Sequence, residues 1–301
     1  MHSAHSKSTY LLLVIVAALS ASACSPLQTI NVLSPSAHYS SDSDIAYGSL
    51  PRQMLDIYTP QQAKLGAPVV VFFYGGGWDN GDKHDYEFVA SSLAEAGYTV
   101  VIPDYRVYPD VVFPEFVEDG ALAVAWVLSN SELVSTDQTP VYLMGHSAGA
   151  HIAAMVSYDP HYLNDQAADP AAIAGFIGLS GPYDFLPLGP SYLREVFPED
   201  IRDDSQPINH VTKTSPPTLL VHGLDDKLVE SGNSTRLEKK LSELGVPVTL
   251  HLYEDIGHAR VAVALSQPFE FTGDVLKDTI AFLDARTELS DGESHNSSSP
   301  D

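Results

Sequence analysis

The segment Val141–Val156 constrains the fold more than any other part of the chain. It reads VYLMGHSAGAHIAAMV, an apolar strand followed by a glycine-flanked turn and then a helical pattern. Its turn, 145–149, matches G-x-S-x-G, in which a serine occupies a strained corner between a strand and a helix. Glycines two residues before and after that corner leave room for the close backbone approach it requires. The segment therefore predicts Ser147 as a nucleophile at the carboxyl end of a buried strand.

The middle of the chain alternates short β-rich runs with helical patterns. The predicted strands are 54–58 (at an edge), 69–73, 98–102, 141–144, 173–179, 217–221 and 248–253, and the predicted helices are 86–96, 116–128, 148–157, 234–244 and 269–286. This alternation predicts an α/β fold with a mostly parallel central sheet and helices on both faces. The long, proline-rich segment 186–215 interrupts the pattern and is predicted to form a short cap over the site.

The two ends of the chain differ in composition from the middle. Residues 1–23 are predicted to be a signal peptide, because a short apolar run precedes a small-residue cleavage pattern. Residues 24–43 are rich in Ser and Pro and are predicted to be a flexible tether. Residues 290–301 are almost without apolar side chains and are predicted to be a disordered tail. The single α/β domain between them is 44–289, which is long enough for one core.

Cys24, the only cysteine, directly follows the predicted cleavage pattern. Its position resembles the lipidation box of bacterial lipoproteins, although Ala21 stands where leucine is commonest. Plain secretion, with an incidental cysteine, is the alternative interpretation. We therefore expect an exported protein of the bacterial cell envelope, in the outer membrane or periplasm, or otherwise a secreted one.

The charge balance limits the possible partners. The chain has 15 Lys+Arg against 39 Asp+Glu, a net charge of −24. Nucleic acid and anionic lipid are excluded as charge-driven partners, because both require clustered cations. Any membrane attachment would then depend on an acyl group at Cys24. The single cysteine and the lack of a ligand-spaced His/Asp cluster predict no metal and no other cofactor.

A serine nucleophile needs a base, and the base needs an acid to orient it. On this kind of elbow the partners follow in the order Ser, Asp/Glu, His. The loop 222–229 follows a predicted strand at the sheet edge where sites of such folds lie, and it offers Asp225 and Asp226. Adjacent turn residues point in different directions, so the spacing leaves both open. Asp184 is a third candidate, more consistent with a turn or a helix cap.

Three histidines follow the 222–229 loop. His251 lies inside a predicted strand, so its direction is fixed by the pleat, and His295 lies in the predicted tail. His258 comes just past the end of the last predicted strand, in a loop that we expect to be mobile. This order favours His258 as the base.

The YGGGW stretch at 74–78 directly follows the predicted strand 69–73. Its three glycines allow backbone N–H groups to approach a substrate closely, as an oxyanion hole requires. The Ala148 N–H, just after the nucleophile, would be the other donor.

Together these stretches resemble the α/β-hydrolase fold, in its carboxylesterase branch with an HGGxW-type loop. That branch includes hormone-sensitive-lipase-like esterases, kynurenine formamidases and relatives of feruloyl and acetyl-xylan esterases. The matching stretches are YGGGW, PDYRVYPDVVFP (103–114), GHSAGAH (145–151), HGLDDKLV (222–229) and the GH at 257–258. The resemblance implies Asp226 as the acid and Gly76 and Gly77 as oxyanion donors. Tyr74 departs from the pattern, since this loop usually begins with histidine.

The resemblance implies a serine hydrolase that cleaves small-molecule carboxylic esters through an acyl-enzyme, with a catalytic triad of Ser147, Asp226 and His258. Two alternatives remain at this stage. One is an arylformamidase-type amide hydrolase, and the other is a non-catalytic, lipid-anchored binding protein of the same fold. A peptidase of the prolyl-oligopeptidase type is less consistent, because Ala150 stands where that family usually has a further glycine.

Overall fold

An eight-stranded sheet forms the centre of the computed structural model, which describes residues 26–130, 132–134 and 139–294. The strands are β1 Tyr39–Ala46, β2 Met54–Pro60, β3 Val69–Phe73, β4 Thr99–Pro103, β5 Val141–His146, β6 Ile173–Leu179, β7 Thr218–Gly223 and β8 Val248–Tyr253. Their order across the sheet is β1-β2-β4-β3-β5-β6-β7-β8. The pairs β1–β2 and β2–β4 are antiparallel, and the others are parallel. The mostly parallel α/β sheet predicted from the sequence is therefore confirmed.

Helices cover both faces of this sheet. They are α1 Pro26–Leu33, α2 Glu87–Glu95, α3 Glu115–Ser129, α4 Ala148–Tyr158, α5 Pro160–Asp165, α6 Leu193–Val196, α7 Gly232–Glu243, α8 His258–Val263 and α9 Val275–Ser294. Successive strand residues point to opposite faces. Phe73 lies against Gly120 of α3, which also contacts Ile152 of α4. Tyr142, on the other face, has its ring 5.9 Å from that of Phe282 in α9. Strand β3 is buried throughout because both of its faces are covered.

The predicted tether at 24–43 is wrong for the residues that the structure describes. Helix α1 packs Ile30 into the core, and the Asn31 side chain donates to the His84 carbonyl at 2.6 Å. Strand β1 then pairs with β2 from Tyr39↔Pro60 to Ala46↔Met54, so the predicted edge strand 54–58 is second from the edge. The polar composition led to the wrong prediction of a tether, because β1 is mostly exposed and is held by backbone hydrogen bonds rather than by buried side chains. The predicted signal peptide and Cys24 lie outside the described residues.

The predicted disordered tail begins inside the last helix. Helix α9 continues to Ser294, so residues 290–294 are helical rather than disordered. The remaining residues of that prediction, 295–301, lie outside the described part of the chain. In the described part, no helix combines the length and apolar character needed to cross a bilayer.

The segment 186–215 contains α6 and two short 3₁₀ turns, Glu199–Ile201 and Pro207–Asn209. It lies on an aromatic cluster next to the YGGGW stretch at 74–78, called the glycine loop below. The Phe197 ring sits 4.8 Å from the Trp78 ring and 5.8 Å from the Phe113 ring. The cap is therefore fixed to the loop that follows β3.

Candidate active site

Ser147 occupies the turn between β5 and α4 with φ 55° and ψ −123°, a conformation that side chains rarely adopt. Its N–H donates to the Leu179 carbonyl of β6 at 2.9 Å, which holds the corner in place. Gly145 and Gly149 are required sterically. A Cβ on Gly145 would lie 2.4 Å from the Gly149 carbonyl oxygen, and one on Gly149 would lie 2.1 Å from the Phe73 carbonyl oxygen.

The predicted nucleophile, base and acid are joined by two consecutive hydrogen bonds. Ser147 Oγ is 2.8 Å from His258 Nε2, and His258 Nδ1 is 2.7 Å from Asp226 Oδ2. In the neutral ring Nδ1–H donates to the carboxylate, which leaves Nε2 free to accept the serine proton. His258 is the first residue of α8, with Gly257 as its N-cap, so the prediction of a mobile loop there is wrong.

Asp226 is buried and fully hydrogen-bonded. Its Oδ1 accepts the backbone N–H groups of Leu228 and Val229, each at 2.9 Å. Burial alone would raise its pKa, but hydrogen bonds from His222, His258 and Val229 hold the pKa of Asp226 well below its ordinary value. It is therefore a carboxylate at neutral pH.

The other acid candidates lie elsewhere. Asp225 is exposed, and its nearest cation is Lys227 Nζ at 4.0 Å. Asp184 binds the Arg236 guanidinium through both its side chain and its carbonyl oxygen. His251 faces Asp278 at 3.3 Å. Of the acid and base candidates that lie within the described residues, only Asp226 and His258 belong to the hydrogen-bonded line that ends at the Ser147 hydroxyl.

His222 is a member of this site that the sequence analysis did not identify. Its Nε2–H donates to the Val229 carbonyl at 2.9 Å and lies 3.3 Å from Asp226 Oδ2. Its Nδ1 accepts the Ser234 hydroxyl at 2.8 Å. The ring thus lies against the same carboxylate oxygen that binds His258. The signal was available, because His222 opens the HGLDD stretch.

His146, the second residue of the G-x-S-x-G turn, is also part of the site. Its Nδ1 accepts the Tyr86 hydroxyl at 2.9 Å, and its Nε2–H donates to the His258 carbonyl at 3.2 Å. Burial lowers the pKa of His146 to about 3, so the ring is neutral at neutral pH. It therefore fixes the backbone of His258 without adding a second charge.

The glycine loop lies beside the serine. In the part of the chain that is described, no protein acceptor takes a hydrogen bond from the N–H of Gly76, Gly77 or Ala148. Gly77 has φ 61°, and a Cβ on Gly76 would lie 2.1 Å from the Asn80 carbonyl oxygen. Small residues are therefore needed where these amides remain open to a substrate oxygen.

Tyr74, which departs from the family pattern, anchors the start of this loop. Its hydroxyl donates to Asp104 Oδ1 at 2.8 Å and accepts from Arg52 Nη2 at 2.7 Å. Its ring stacks on that of Tyr105 at 4.6 Å, and the Tyr105 hydroxyl donates to the Tyr74 carbonyl. Asp104 thus has a structural role. Arg106 also has one, because it holds the buried Asp119 with both Nε and Nη2.

A cavity of about 440 Å³ opens onto Ser147. Gly77 and Trp78 of the glycine loop form one wall. The cap forms another, and the residues 228–236 close the third side. A larger depression of about 800 Å³ lies between α3 and residues 166–172 and contains none of the residues described above. The chemistry of the site therefore belongs to the smaller cavity.

Metal-ligating groups come together at one place among the described residues, where oxygen or nitrogen atoms of Asp44, Asp56 and His84 lie within 4.8 Å of one another. The buried Lys83 ammonium sits at this place, 2.8 Å from Asp44 Oδ1 and 3.1 Å from Asp56 Oδ1. These carboxylates thus already have a cation from the chain itself.

Comparison with known proteins gives one family and one fold. A family model described as BD-FAE matches residues 55–241, more than half of the chain. A probable isoprenylcysteine alpha-carbonyl methylesterase of Arabidopsis thaliana is 30% identical over 238 residues, covering 71% of this chain and 50% of that protein. Kynurenine formamidase of Danio rerio is 32% identical over 152 residues, covering 50% of each chain. The chain spans about half the length of these two curated relatives.

Among solved structures, esterase B of Lactobacillus rhamnosis superimposes with a TM-score of 0.75 at 19% identity, covering 96% of this chain and 99% of that one. At this identity the likeness establishes the fold alone. The α/β-hydrolase fold expected from the sequence is confirmed by it.

Proposed function

The chain belongs to the BD-FAE family of α/β-hydrolase esterases, and from that premise we propose that it is a serine hydrolase that cleaves small-molecule carboxylic esters. One observation carries the proposal. The Ser147 hydroxyl, the His258 imidazole and the buried Asp226 carboxylate form a continuous hydrogen-bonded line with distances of 2.8 and 2.7 Å. Such a line activates a serine for acyl transfer.

In acylation, His258 Nε2 takes the Ser147 proton as Oγ attacks the ester carbonyl. The charge that develops on the carbonyl oxygen is stabilised by the N–H groups of Gly76, Gly77 and Ala148. Asp226 stabilises the imidazolium and keeps its Nδ1–H directed inward. The imidazolium then returns the proton to the departing alcohol, which leaves an acyl group on Ser147.

In deacylation the same groups act on water. His258 removes a proton from a water molecule, which attacks the acyl carbonyl, and the three amides again hold the oxyanion. Collapse of this intermediate transfers the proton to Ser147 Oγ and releases the carboxylic acid. His258 therefore carries out each proton transfer in both acylation and deacylation.

The test is hydrolysis of p-nitrophenyl esters from acetate to palmitate by wild type, Ser147→Ala and a control, Ser157→Ala. Ser157 lies on the same helix, α4, and its hydroxyl donates to the Ala153 carbonyl. We expect Ser147→Ala to lose activity by at least about a thousandfold while Ser157→Ala keeps it. Retained turnover in Ser147→Ala would reject this nucleophile.

A second candidate function is hydrolysis of an aryl formamide. The likeness to the kynurenine formamidase of Danio rerio favours it. The two chains are 32% identical over 152 residues, which is half the length of each. N-Formylkynurenine therefore belongs in the same assay. A higher kcat/KM for this amide than for every ester would replace the esterase proposal. Absence of turnover for both classes would favour a binding protein of this fold.

We further propose that the protein is exported and lipid-anchored through Cys24. The support is the sequence of residues 1–24, with its apolar run, small residues and single cysteine. In a bacterial host, labelled palmitate should be incorporated into wild type and not into Cys24→Ser. The variant should leave the membrane fraction and retain its hydrolytic rate. A Cys24→Ser protein that stays in the membrane fraction would argue against the anchor.

A further inference from the structure

Tyr192 extends from the cap toward the glycine loop. It directly precedes α6, and its phenol oxygen lies 3.1 Å from the position that a Cβ on Gly77 would occupy. It lines the same 440 Å³ cavity as Gly77 and Ser147. The hydroxyl is therefore placed next to Gly77, whose N–H is one of the three oxyanion donors of the proposed function.

This hydroxyl differs from those of the neighbouring tyrosines. Tyr74 donates to Asp104, Tyr86 to His146, and Tyr105 to the Tyr74 carbonyl. Across the residues that the structure describes, no group of the protein forms a hydrogen bond with the Tyr192 hydroxyl. The residue is half-buried and lines the cavity, so its hydroxyl has no structural hydrogen bond to give up when it binds a substrate oxygen.

The phenol is a hydrogen-bond donor at neutral pH. Burial, and then the nearby charge of Asp79, raise the pKa of Tyr192 above its ordinary value. The proton therefore stays on the oxygen throughout the range in which a histidine base operates. A neutral donor beside Gly77 adds no charge to the empty site, and its contribution grows only when the substrate oxygen becomes negative.

We propose that Tyr192 is a catalytic residue of the cap, a fourth donor that hydrogen-bonds the oxyanion together with Gly76, Gly77 and Ala148. The inference rests on the proposed serine hydrolase function. In the tetrahedral intermediate the new Oγ–C bond forms, the carbonyl π electrons move to oxygen, and the Tyr192 O–H donates to that oxygen without transferring its proton. Removal of one oxyanion donor typically costs about 10²–10³ in kcat, and for a half-exposed hydroxyl we expect about 10- to 100-fold.

The experiment compares wild type, Tyr192→Phe and Tyr108→Phe on p-nitrophenyl butyrate and ethyl butyrate. Tyr108→Phe is the matched control, because it removes a phenol that bonds the cap residue Glu195 at 2.5 Å and lies outside the hydrogen-bonded line of the site. We expect Tyr192→Phe to lower kcat by about 10- to 100-fold for both esters, with KM changed less than about threefold. Tyr108→Phe should keep kcat within about threefold of wild type.

The two esters separate the possible roles. The p-nitrophenolate leaving group needs no proton, so an oxyanion donor lowers both rates, whereas a proton donor to the alcohol would lower only the ethyl ester rate. A loss confined to ethyl butyrate, or unchanged rates, would overturn the inference. A loss of the same size in Tyr108→Phe would also overturn it, because the cause would be a displaced cap.

Different variants reveal a failure of this inference and a failure of the proposed function. If wild type hydrolyses esters and Ser147→Ala does not, the function stands, and Tyr192→Phe alone decides the role of the phenol. If wild type and Ser147→Ala have equal rates, the nucleophile is wrong and the inference falls with it. Equal unfolding midpoints for wild type and Tyr192→Phe are expected, since the hydroxyl has no internal partner to lose.

Discussion

At the scale of single residues, the position of one carboxylate decides the tautomer of the base. Asp226 uses Oδ1 for the amides of Leu228 and Val229 and Oδ2 for His258, so rotation of its side chain would break several bonds at once. Bonds of this kind between a charged acceptor and N–H donors are stronger than neutral ones. The imidazole is thereby held in the tautomer that presents Nε2 to Ser147.

This arrangement predicts different effects at two adjacent aspartates. Asp226→Asn should lower kcat/KM by about three to four orders of magnitude, because an amide at this position can stabilise the wrong tautomer of His258. Asp225→Asn should stay within about threefold of wild type, since its side chain is exposed and 4.0 Å from Lys227. Steady-state kinetics on one p-nitrophenyl ester measures both. The reverse ranking would assign the acid to Asp225.

The chain order of the motifs was sufficient to choose Ser147 and His258 as site residues from the sequence. It could not separate Asp225 from Asp226 by residue reasoning, because the direction of a turn side chain depends on which backbone amides it can reach. His146 was missed because its ring contact joins residues 112 positions apart through tertiary structure, with no periodicity to reveal it. His222 could have been found, since it opens the HGLDD stretch and its ring contact lies within that loop.

At the scale of elements, His151 connects three parts of the structure that lie far apart in the sequence. It lies in α4, its Nδ1 accepts the Trp78 Nε1–H at 3.3 Å, and its Nε2–H donates to the Ser205 carbonyl of the cap at 2.8 Å. The ring is fully buried among aromatic side chains. The nucleophile helix, the glycine loop and the cap are thus joined through one neutral imidazole.

This contact predicts a pH-dependent contribution to stability. Burial lowers the pKa of His151 to about 4, below the value of about 6.5 for an unfolded histidine. As pH falls from 6.5 to 4, the unfolded chain therefore binds the proton first. The contribution of His151 is fully present above pH 6.5 and is lost below it by up to about 1.4 kcal/mol per pH unit.

His151→Phe removes this titration. Its destabilisation relative to wild type should be largest at pH 7.5 and should shrink by pH 5, as measured by urea unfolding. Phe197→Leu is the control, because it opens space in the same aromatic cluster without removing a titrating group. Its difference from wild type should not change with pH. If the free energy of unfolding changed with pH by the same amount in His151→Phe and wild type, the imidazole would not be kept neutral by burial.

Prediction of elements from the sequence succeeded where burial leaves a pattern. Strand β3 is apolar throughout because both faces are covered, and Ala148–Tyr158 was expected within one residue. Prediction failed for α1 and β1. The β1 sequence YSSDSDIA is mostly exposed, and its pairing with β2 rests on backbone bonds that carry no side-chain signature.

At the scale of the whole molecule, the excess of acidic residues is large for the size of the chain. The net charge of −24 includes no histidine contribution. Some of these carboxylates are buried and paired with a cation, Asp119 with Arg106 and Asp56 with Lys83. The exposed remainder repel one another more in the compact state than in the unfolded chain.

Salt should therefore stabilise the protein. Raising NaCl from 10 mM to 0.5 M shortens the screening length from about 30 Å to a few ångström, and we expect the thermal midpoint to rise by about 2–5 °C. The matched control neutralises four exposed acids in one variant, Asp110→Asn, Glu132→Gln, Asp200→Asn and Glu254→Gln. At 10 mM NaCl this variant should melt above wild type, and its response to salt should be smaller because less repulsion remains to be screened. A midpoint that falls with salt would mean that attractive ion pairs on the surface outweigh the repulsion, and would contradict this account of the acidic composition.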